Sequence, residues 1–165
     1  MAYPTNFAPF CTDPIAGLQP LLTTQTTQKH AIGSIVDFQD ATYGSGEAIY
    51  LPGLASTAAG DVVTYDLNAG VTKRAVHLDL GPVAVALSAN VAGQYGWYMI
   101  SGAAIVNTGA STITANTPIY LTSTAGAVSN TVVLTDKIDG LTPKAANSGG
   151  FTVCQLDRPA LNGNG

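Results

Sequence analysis

The sequence predicts an all-β barrel or sandwich, and two observations carry that prediction. No window of eleven or more residues keeps the apolar spacing of an amphipathic helix without interruption by glycine, proline or β-branched runs. Short segments rich in Val, Ile, Thr and Tyr instead alternate with clusters of Gly, Asn, Ser and Pro, as strands alternate with tight turns. The 165 residues are enough for one domain with its own core.

Residues 1–30 are predicted to form an extended N-terminal arm. Four prolines and the run TTQTTQ prevent a regular sheet, because proline lacks the N–H that a strand ladder needs. The segment is nevertheless too apolar and too poor in charge for ordinary disorder. An extended arm that docks on another surface is the preferred interpretation, and a disordered terminus is the alternative. The candidate anchors are Tyr3, Phe7, Phe10, Ile15, Leu18, Leu21 and Leu22.

Residues 31–165 are predicted to form the folded domain, which begins with a hairpin. Ile32 to Phe38 and Glu47 to Leu54 alternate as strands do, and DATYGSG between them supplies turn residues. From residue 60 onward a weak duplication relates GDVVTYDLNAG to NTPIYLTSTAG, and each copy leads to an Asn-x-x-Gly turn before another strand. This pattern predicts two equivalent halves of a small barrel, with chance agreement as the alternative.

The run GQYGWYMISG contains the single tryptophan of the chain. If residues 94–100 form a strand, Tyr95, Trp97 and Met99 share one face as an apolar row. Such a row is more typical of a core or a subunit interface than of a sugar-binding platform. Gly93 and Gly96 are expected to serve a turn and a close approach of the backbone or a bulge.

The sequence offers few groups for catalysis, so we predict no enzyme, no catalytic residue, no metal and no cofactor. His77 and Asp79 are two residues apart and would share the face of a strand. Such a pair could orient a base or help to hold a metal, although an ordinary surface pair is far commoner. No signature of a serine hydrolase, zinc protease, nucleotide-binding loop or EF-hand is present.

The remaining acidic residues of interest are expected in turns. Asp136 and Asp139 lack the ladder of oxygen ligands that a calcium loop needs, so a solvated turn is the expectation. Asp61 and Asp66 flank a predicted strand and are expected to cap turns.

The charge composition argues against nucleic-acid and membrane partners. The net charge is −4 and the six cations form no basic stripe that could neutralise a phosphate backbone. No apolar run approaches the roughly 18 residues of a membrane span, and no secretory signal is recognised.

Cys11 and Cys154 are expected to be free thiols without a chemical role in a cytosolic protein, with a disulfide between them as the alternative.

Five runs, taken in order, carry a resemblance to a known family. They are ATYGSGEAIYLPGLAST, GDVVTYD, GPVAVALSANVAGQYGWYMISGAAIV, NTPIYLTSTAGAV and SGGFTVCQLDRP. Over about residues 30–160 the chain resembles the small capsid decoration (cement) proteins of tailed bacteriophages. It is most similar to those of podovirus-type phages and more loosely to the lambda-type head decoration proteins.

The resemblance implies a β-barrel or β-tulip domain that assembles as a homotrimer on the outer surface of an icosahedral head. Such a virion protein is made in the cytoplasm of the bacterial host and stabilises the head by bridging subunits of the major capsid protein. The arm and its anchors would then contact the capsid. The family has no catalytic residues to assign.

A virion-surface adhesin or carbohydrate-binding β module is the alternative function, since it would also be all-β and non-enzymatic. It would stack sugars on exposed aromatic rings, for which Tyr43, Tyr95 and Trp97 are the candidates.

Overall fold

A computed structural model describes residues 19–163 and the backbone of residues 10–11. Within these residues the chain forms eleven strands and no helix. None of this described part could therefore cross a membrane as a helix. The strands are β1 (Phe10–Cys11), β2 (Ile35–Asp40), β3 (Gly44–Pro52), β4 (Val62–Asp66), β5 (Val71–Arg74), β6 (Gly81–Ala86), β7 (Tyr95–Asn107), β8 (Tyr120–Leu121), β9 (Val128–Ser129), β10 (Ile138–Pro143) and β11 (Phe151–Leu161).

Nine of these strands form one antiparallel sheet that curls strongly into a half-barrel. The order is β1-β2-β3-β7-β11-β6-β4-β5, with β10 paired to β11, while β8 and β9 form a separate ribbon. The predicted all-β, barrel-like fold is confirmed.

The predicted hairpin is also confirmed. Strands β2 and β3 pair from Ile35 opposite Ile49 to Asp40 opposite Gly44. The Asp40 carboxylate accepts the backbone N–H groups of Thr42 and Tyr43, at 2.8 and 2.7 Å, and so fixes the turn. The first strand begins at residue 35 rather than 32, because residues 31–34 form a turn of their own.

Strand β7 is the centre of the sheet. Tyr98 in its first half pairs with β3 on one side and β6 on the other, whereas its second half pairs with β11. Gly93, with φ +78°, forms the turn before the strand, and the Asn90 side chain lies so close to Gly96 that a Cβ would be 3.0 Å from Nδ2. Both glycine roles predicted for this segment are confirmed.

Apolar side chains cover both faces of the central part of the sheet. In β7, Trp97 and Met99 belong to the larger core cluster, while Tyr98 and Ile100 belong to a smaller one on the opposite face. The smaller cluster comprises Ile49, Leu51, Val63, Ala84, Ala86, Tyr98 and Ile100. Strands β6 and β7, at the centre, are buried on both faces and are accordingly almost continuously apolar, whereas β2 alternates between buried and exposed residues.

The predicted equivalence of two barrel halves is wrong. Strand β4, from the first copy, lies inside the main sheet, whereas the second copy contributes only the two-residue β8 to the ribbon. Asn116 at φ +59° and Pro118, which has no N–H, delay strand formation in the second copy until Tyr120.

Candidate functional site

Two neighbouring loops display the most exposed large apolar side chains of the part that the structure describes. Leu78 is 77% exposed, Leu134 74% and Val132 69%. Leu78 lies in the loop after β5, and the other two lie in the loop before β10. We call these three residues the apolar tip.

A buried carboxylate joins the two loops. Asp136 has no exposed surface; its Oδ2 pairs with His77 Nδ1, and its Oδ1 accepts the N–H of Leu78 at 2.9 Å. The expectation that Asp136 lies in a solvated turn is therefore wrong. The bonds cross from one loop to the other and hold Leu78 and Leu134 on the same part of the surface.

The predicted pairing of His77 with Asp79 is not observed. Strand β5 ends at Arg74, so the alternation on which that prediction depended does not extend to these residues. Asp79 instead pairs with Lys73 and accepts the N–H of Val76 at 2.9 Å. Both carboxylates thus stabilise the loop that carries Leu78.

The tip has an unfavourable backbone conformation. Leu78 has φ +67°, and Thr135, next to Leu134, has φ +78°. A non-glycine residue in this left-handed region costs about 1 kcal/mol, and leucine gains nothing there from burial. Asn or Gly would suit position 78 better if folding were the only requirement. Folding alone therefore does not account for an exposed leucine at this position.

Further apolar surface adjoins the tip through Leu80, which is 64% exposed. Leu80, Tyr65, Leu67 and Pro82 line an open groove of about 510 Å³. The turn beside it is capped by Asp66, whose Oδ1 accepts the N–H groups of residues 68 and 69 at 2.8 and 3.1 Å, as predicted.

Residues 19–30, which we call the strap, pack against the aromatic core. Gln19 is fully buried: its carbonyl accepts Trp97 Nε1 at 2.9 Å and its side-chain Oε1 accepts the Tyr50 hydroxyl at 2.7 Å. Its Nε2 donates to the Tyr95 carbonyl at 2.7 Å. Gln25 adds two backbone hydrogen bonds to Tyr95, at 3.1 and 2.8 Å.

The strap ends at a buried histidine. The His30 ring lies edge-on to Tyr50 and tilted against Trp97, with centroids 4.9 and 5.0 Å away. Its Nε2 has no hydrogen-bond partner among the residues that the structure describes, and burial lowers the pKa of His30.

The residues singled out from the sequence are placed as follows. Trp97 and Met99 are buried within the larger cluster of a single chain, and half-buried Tyr95 packs against it. The Trp97 ring is consequently not available for stacking a sugar. Leu21 is 3% exposed and belongs to the same cluster, whereas Leu22 is 40% exposed. The side chains of the other predicted anchors, Tyr3, Phe7, Phe10, Ile15 and Leu18, lie outside the described residues.

Asp61 is a buried carboxylate that accepts several hydrogen bonds, of which the sequence predicted only the turn cap. It accepts the Ala58 N–H at 2.9 Å, which is the predicted turn cap. It also accepts Arg74 Nε and Asn107 Nδ2, both at 2.8 Å, and has no exposed surface. The distances along the chain, 13 and 46 residues, explain why the pattern of the sequence gave no signal for these bonds.

Groups suited to metal or redox chemistry are few in the described part. Cys154 is a free, buried thiol whose pKa is raised by burial to about 12, while the side chain of Cys11 lies outside the described residues. Among the described residues no three His, Cys, Asp or Glu side chains are grouped as metal ligands would be.

No protein-family model matches the chain, and no curated protein sequence matches it.

Proposed function

We propose that the protein is a capsid decoration protein of a tailed bacteriophage, which binds the outer surface of the head and bridges subunits of the major capsid protein. The resemblance over about residues 30–160 is the reason for proposing this family. The apolar tip is the observation that carries the proposal, because Leu78 is displayed at a cost in backbone strain and exposed apolar surface.

The free energy available from burying the apolar tip suits a contact that is repeated many times over a capsid. Burying three large apolar side chains contributes about 5 kcal/mol before the costs of association. That is modest for one subunit, but multiple linked contacts on a symmetric lattice add avidity. A protein that binds the assembled lattice and not its separated parts stabilises that lattice by mass action.

Assembly as a homotrimer belongs to the same proposal. The groove formed by Leu80, Tyr65, Leu67 and Pro82 offers apolar surface beside the tip for contacts between copies. Light scattering of the purified protein should give three times the mass of one chain, and a monomer at all concentrations would contradict this part.

The direct experiment measures binding of the purified protein to empty expanded heads. Leu78→Asn removes the apolar contact while suiting the left-handed backbone, so we expect affinity to fall about tenfold or more without loss of stability. Leu78→Met, which keeps an apolar side chain, should retain binding. Val91→Thr changes an exposed residue in another turn and should have no effect. Unchanged affinity of Leu78→Asn would remove the tip from the proposal.

The purified protein also allows the proposed decoration function to be distinguished from the alternative, a carbohydrate-binding module. A carbohydrate-binding module would bind members of a glycan array and would show no affinity for empty heads. That combined result would contradict the decoration function.

A further inference from the structure

The segment that follows β11 contains an asparagine followed by a glycine. Asn162 is exposed and comes directly after Leu161, the last residue of the strand. Gly163 has φ +68°, a left-handed conformation that ends the extended chain. Among the asparagines that the structure describes, Asn162 is the one with glycine next to it. A residue without a side chain leaves the neighbouring amide groups open to close approach.

The amide groups of Asn162 and Gly163 are held by few contacts. Within the described part, the Asn162 side chain makes one hydrogen bond, in which Nδ2 donates to Asp139 Oδ2 at the long distance of 3.3 Å. None of the residues that the structure describes accepts a hydrogen bond from the Gly163 N–H. The fold therefore fixes neither the side-chain amide of Asn162 nor the backbone nitrogen that follows it.

Asn147 shows the opposite situation, although a small residue, Ser148, follows it. Its Oδ1 accepts the Ile113 N–H and its Nδ2 donates to the Ser111 carbonyl, both at 2.8 Å. The Ser148 N–H donates to the Phe151 carbonyl, also at 2.8 Å. At this position the fold holds both the side-chain amide and the backbone nitrogen that follows it.

We propose that Asn162 is a site of spontaneous deamidation through a cyclic succinimide. The backbone nitrogen of Gly163 attacks Cγ of Asn162 and forms a C–N bond, and the side-chain nitrogen leaves as ammonia with the proton of the Gly163 amide. Water then adds to a carbonyl carbon of the ring and breaks its bond to the ring nitrogen, which takes up a proton of the water. Opening at Cγ leaves aspartate, and opening at the backbone carbonyl leaves isoaspartate, whose main chain is one atom longer. The inference does not rest on the proposed function.

The product places a second negative charge beside Asp139. The pKa of Asp139 is lowered, mainly by the hydrogen bond from Lys137, so this residue is a carboxylate at neutral pH. The Asn162 amide donates to it, whereas a carboxylate at the same position would repel it. Gly163 lies against Leu80, since a Cβ on this glycine would be 3.2 Å from Leu80 Cδ2. Deamidation should therefore displace residue 163 and change the surroundings of Leu80.

The test keeps the full-length folded protein in a mildly alkaline buffer, which favours attack by the amide nitrogen. Tandem mass spectrometry of its peptides should show Asn162 converted to a mixture of aspartate and isoaspartate, while Asn147 in the same sample stays intact. Fragment ions separate Asn162 from Asn164, which is also followed by glycine and lies outside the described residues. A peptide of residues 159–165 gives the rate without the fold. An intact Asn162 in the protein after the peptide has reacted at that asparagine would overturn the proposal.

Two variants separate the effect of the fold from that of the local sequence. Gly163→Ala adds a methyl group beside the reacting nitrogen and should slow the loss of Asn162 several-fold. Ser148→Gly gives Asn147 the same neighbour as Asn162, yet Asn147 should still react much more slowly, because its amide remains held on both sides. Equal rates for the two asparagines in this variant would overturn the inference from the structure.

A third variant represents the aspartate product. Asn162→Asp should shift the methyl resonances of Leu80 and should leave those of buried Ile113 in place. The same shift should grow in the unmodified protein as deamidation proceeds. Leu80 resonances that stay unchanged in both samples would contradict the expected effect on this surface.

Discussion

Asp136 holds the apolar tip in place through one bond to a histidine and one to a backbone amide. The carboxylate is fully buried, so the loss of either partner leaves one of its oxygens desolvated and without that hydrogen bond. Its contacts lie 59 and 58 residues away along the chain. The pattern of neighbouring residues in the sequence could not reveal these contacts. The sequence suggested Asp79 as the partner of His77 only because the two residues are close along the chain.

The role of Asp136 is tested by Asp136→Asn. The substitution keeps the shape but removes the charge, and we expect the free energy of unfolding to fall by about 1–3 kcal/mol in urea titrations. Asp139→Asn is the matched control, since Asp139 pairs with Lys137 at the surface and should contribute less than about 0.5 kcal/mol. Equal effects of the two variants would show that the buried pair has no special role.

His30 predicts a pH dependence of stability whose sign follows from burial. The folded protein disfavours protonated His30, whose pKa lies below the usual 6.5, whereas the unfolded chain takes up the proton near that value. The free energy of unfolding should therefore fall as the pH drops through 6.5 toward the lowered pKa. His30→Phe preserves the ring contacts with Tyr50 and Trp97 and should make this fall smaller. Identical pH profiles for both proteins in urea titrations would contradict the assignment.

At the scale of elements, the strap and the β2–β3 hairpin differ in how well the sequence predicts them. The hairpin depends on neighbouring residues, so its alternation and turn residues were sufficient. The position of the strap depends on the hydrogen bond from Trp97 Nε1 to the Gln19 carbonyl, and these two residues are 78 positions apart along the chain. Its prolines and glutamines suggested an arm outside the domain, while Gln19 and Leu21 in fact lie in the core. The predicted boundary at residue 30 remains a prediction.

Two truncations separate the strap from the residues before it. Deleting residues 2–18 should lower the melting temperature by only a few degrees, because the core contacts of Gln19 and Leu21 remain. Deleting residues 2–29 removes those contacts and leaves Tyr50 and Trp97 without their hydrogen-bond partners, so a fall of about 10 °C or more is expected by calorimetry. Equal melting temperatures would mean that the strap contributes nothing to the fold.

At the scale of the whole molecule, a half-barrel sheet with a doubly buried centre carries the loops that display the apolar tip. The all-β class followed from composition and turn residues alone. The curl of the sheet and the meeting of the two tip loops depend on contacts between distant segments, which the sequence does not reveal. The fold displays large apolar side chains at the surface, and the proposed function rests on them.

A cryo-electron map of the particle to which the protein is proposed to belong tests the proposed decoration function most directly. We predict density for the half-barrel on the outer surface of the head, with Leu78, Val132 and Leu134 facing a subunit of the major capsid protein. A head without this density, or a bound protein whose tip faces solvent, would contradict it.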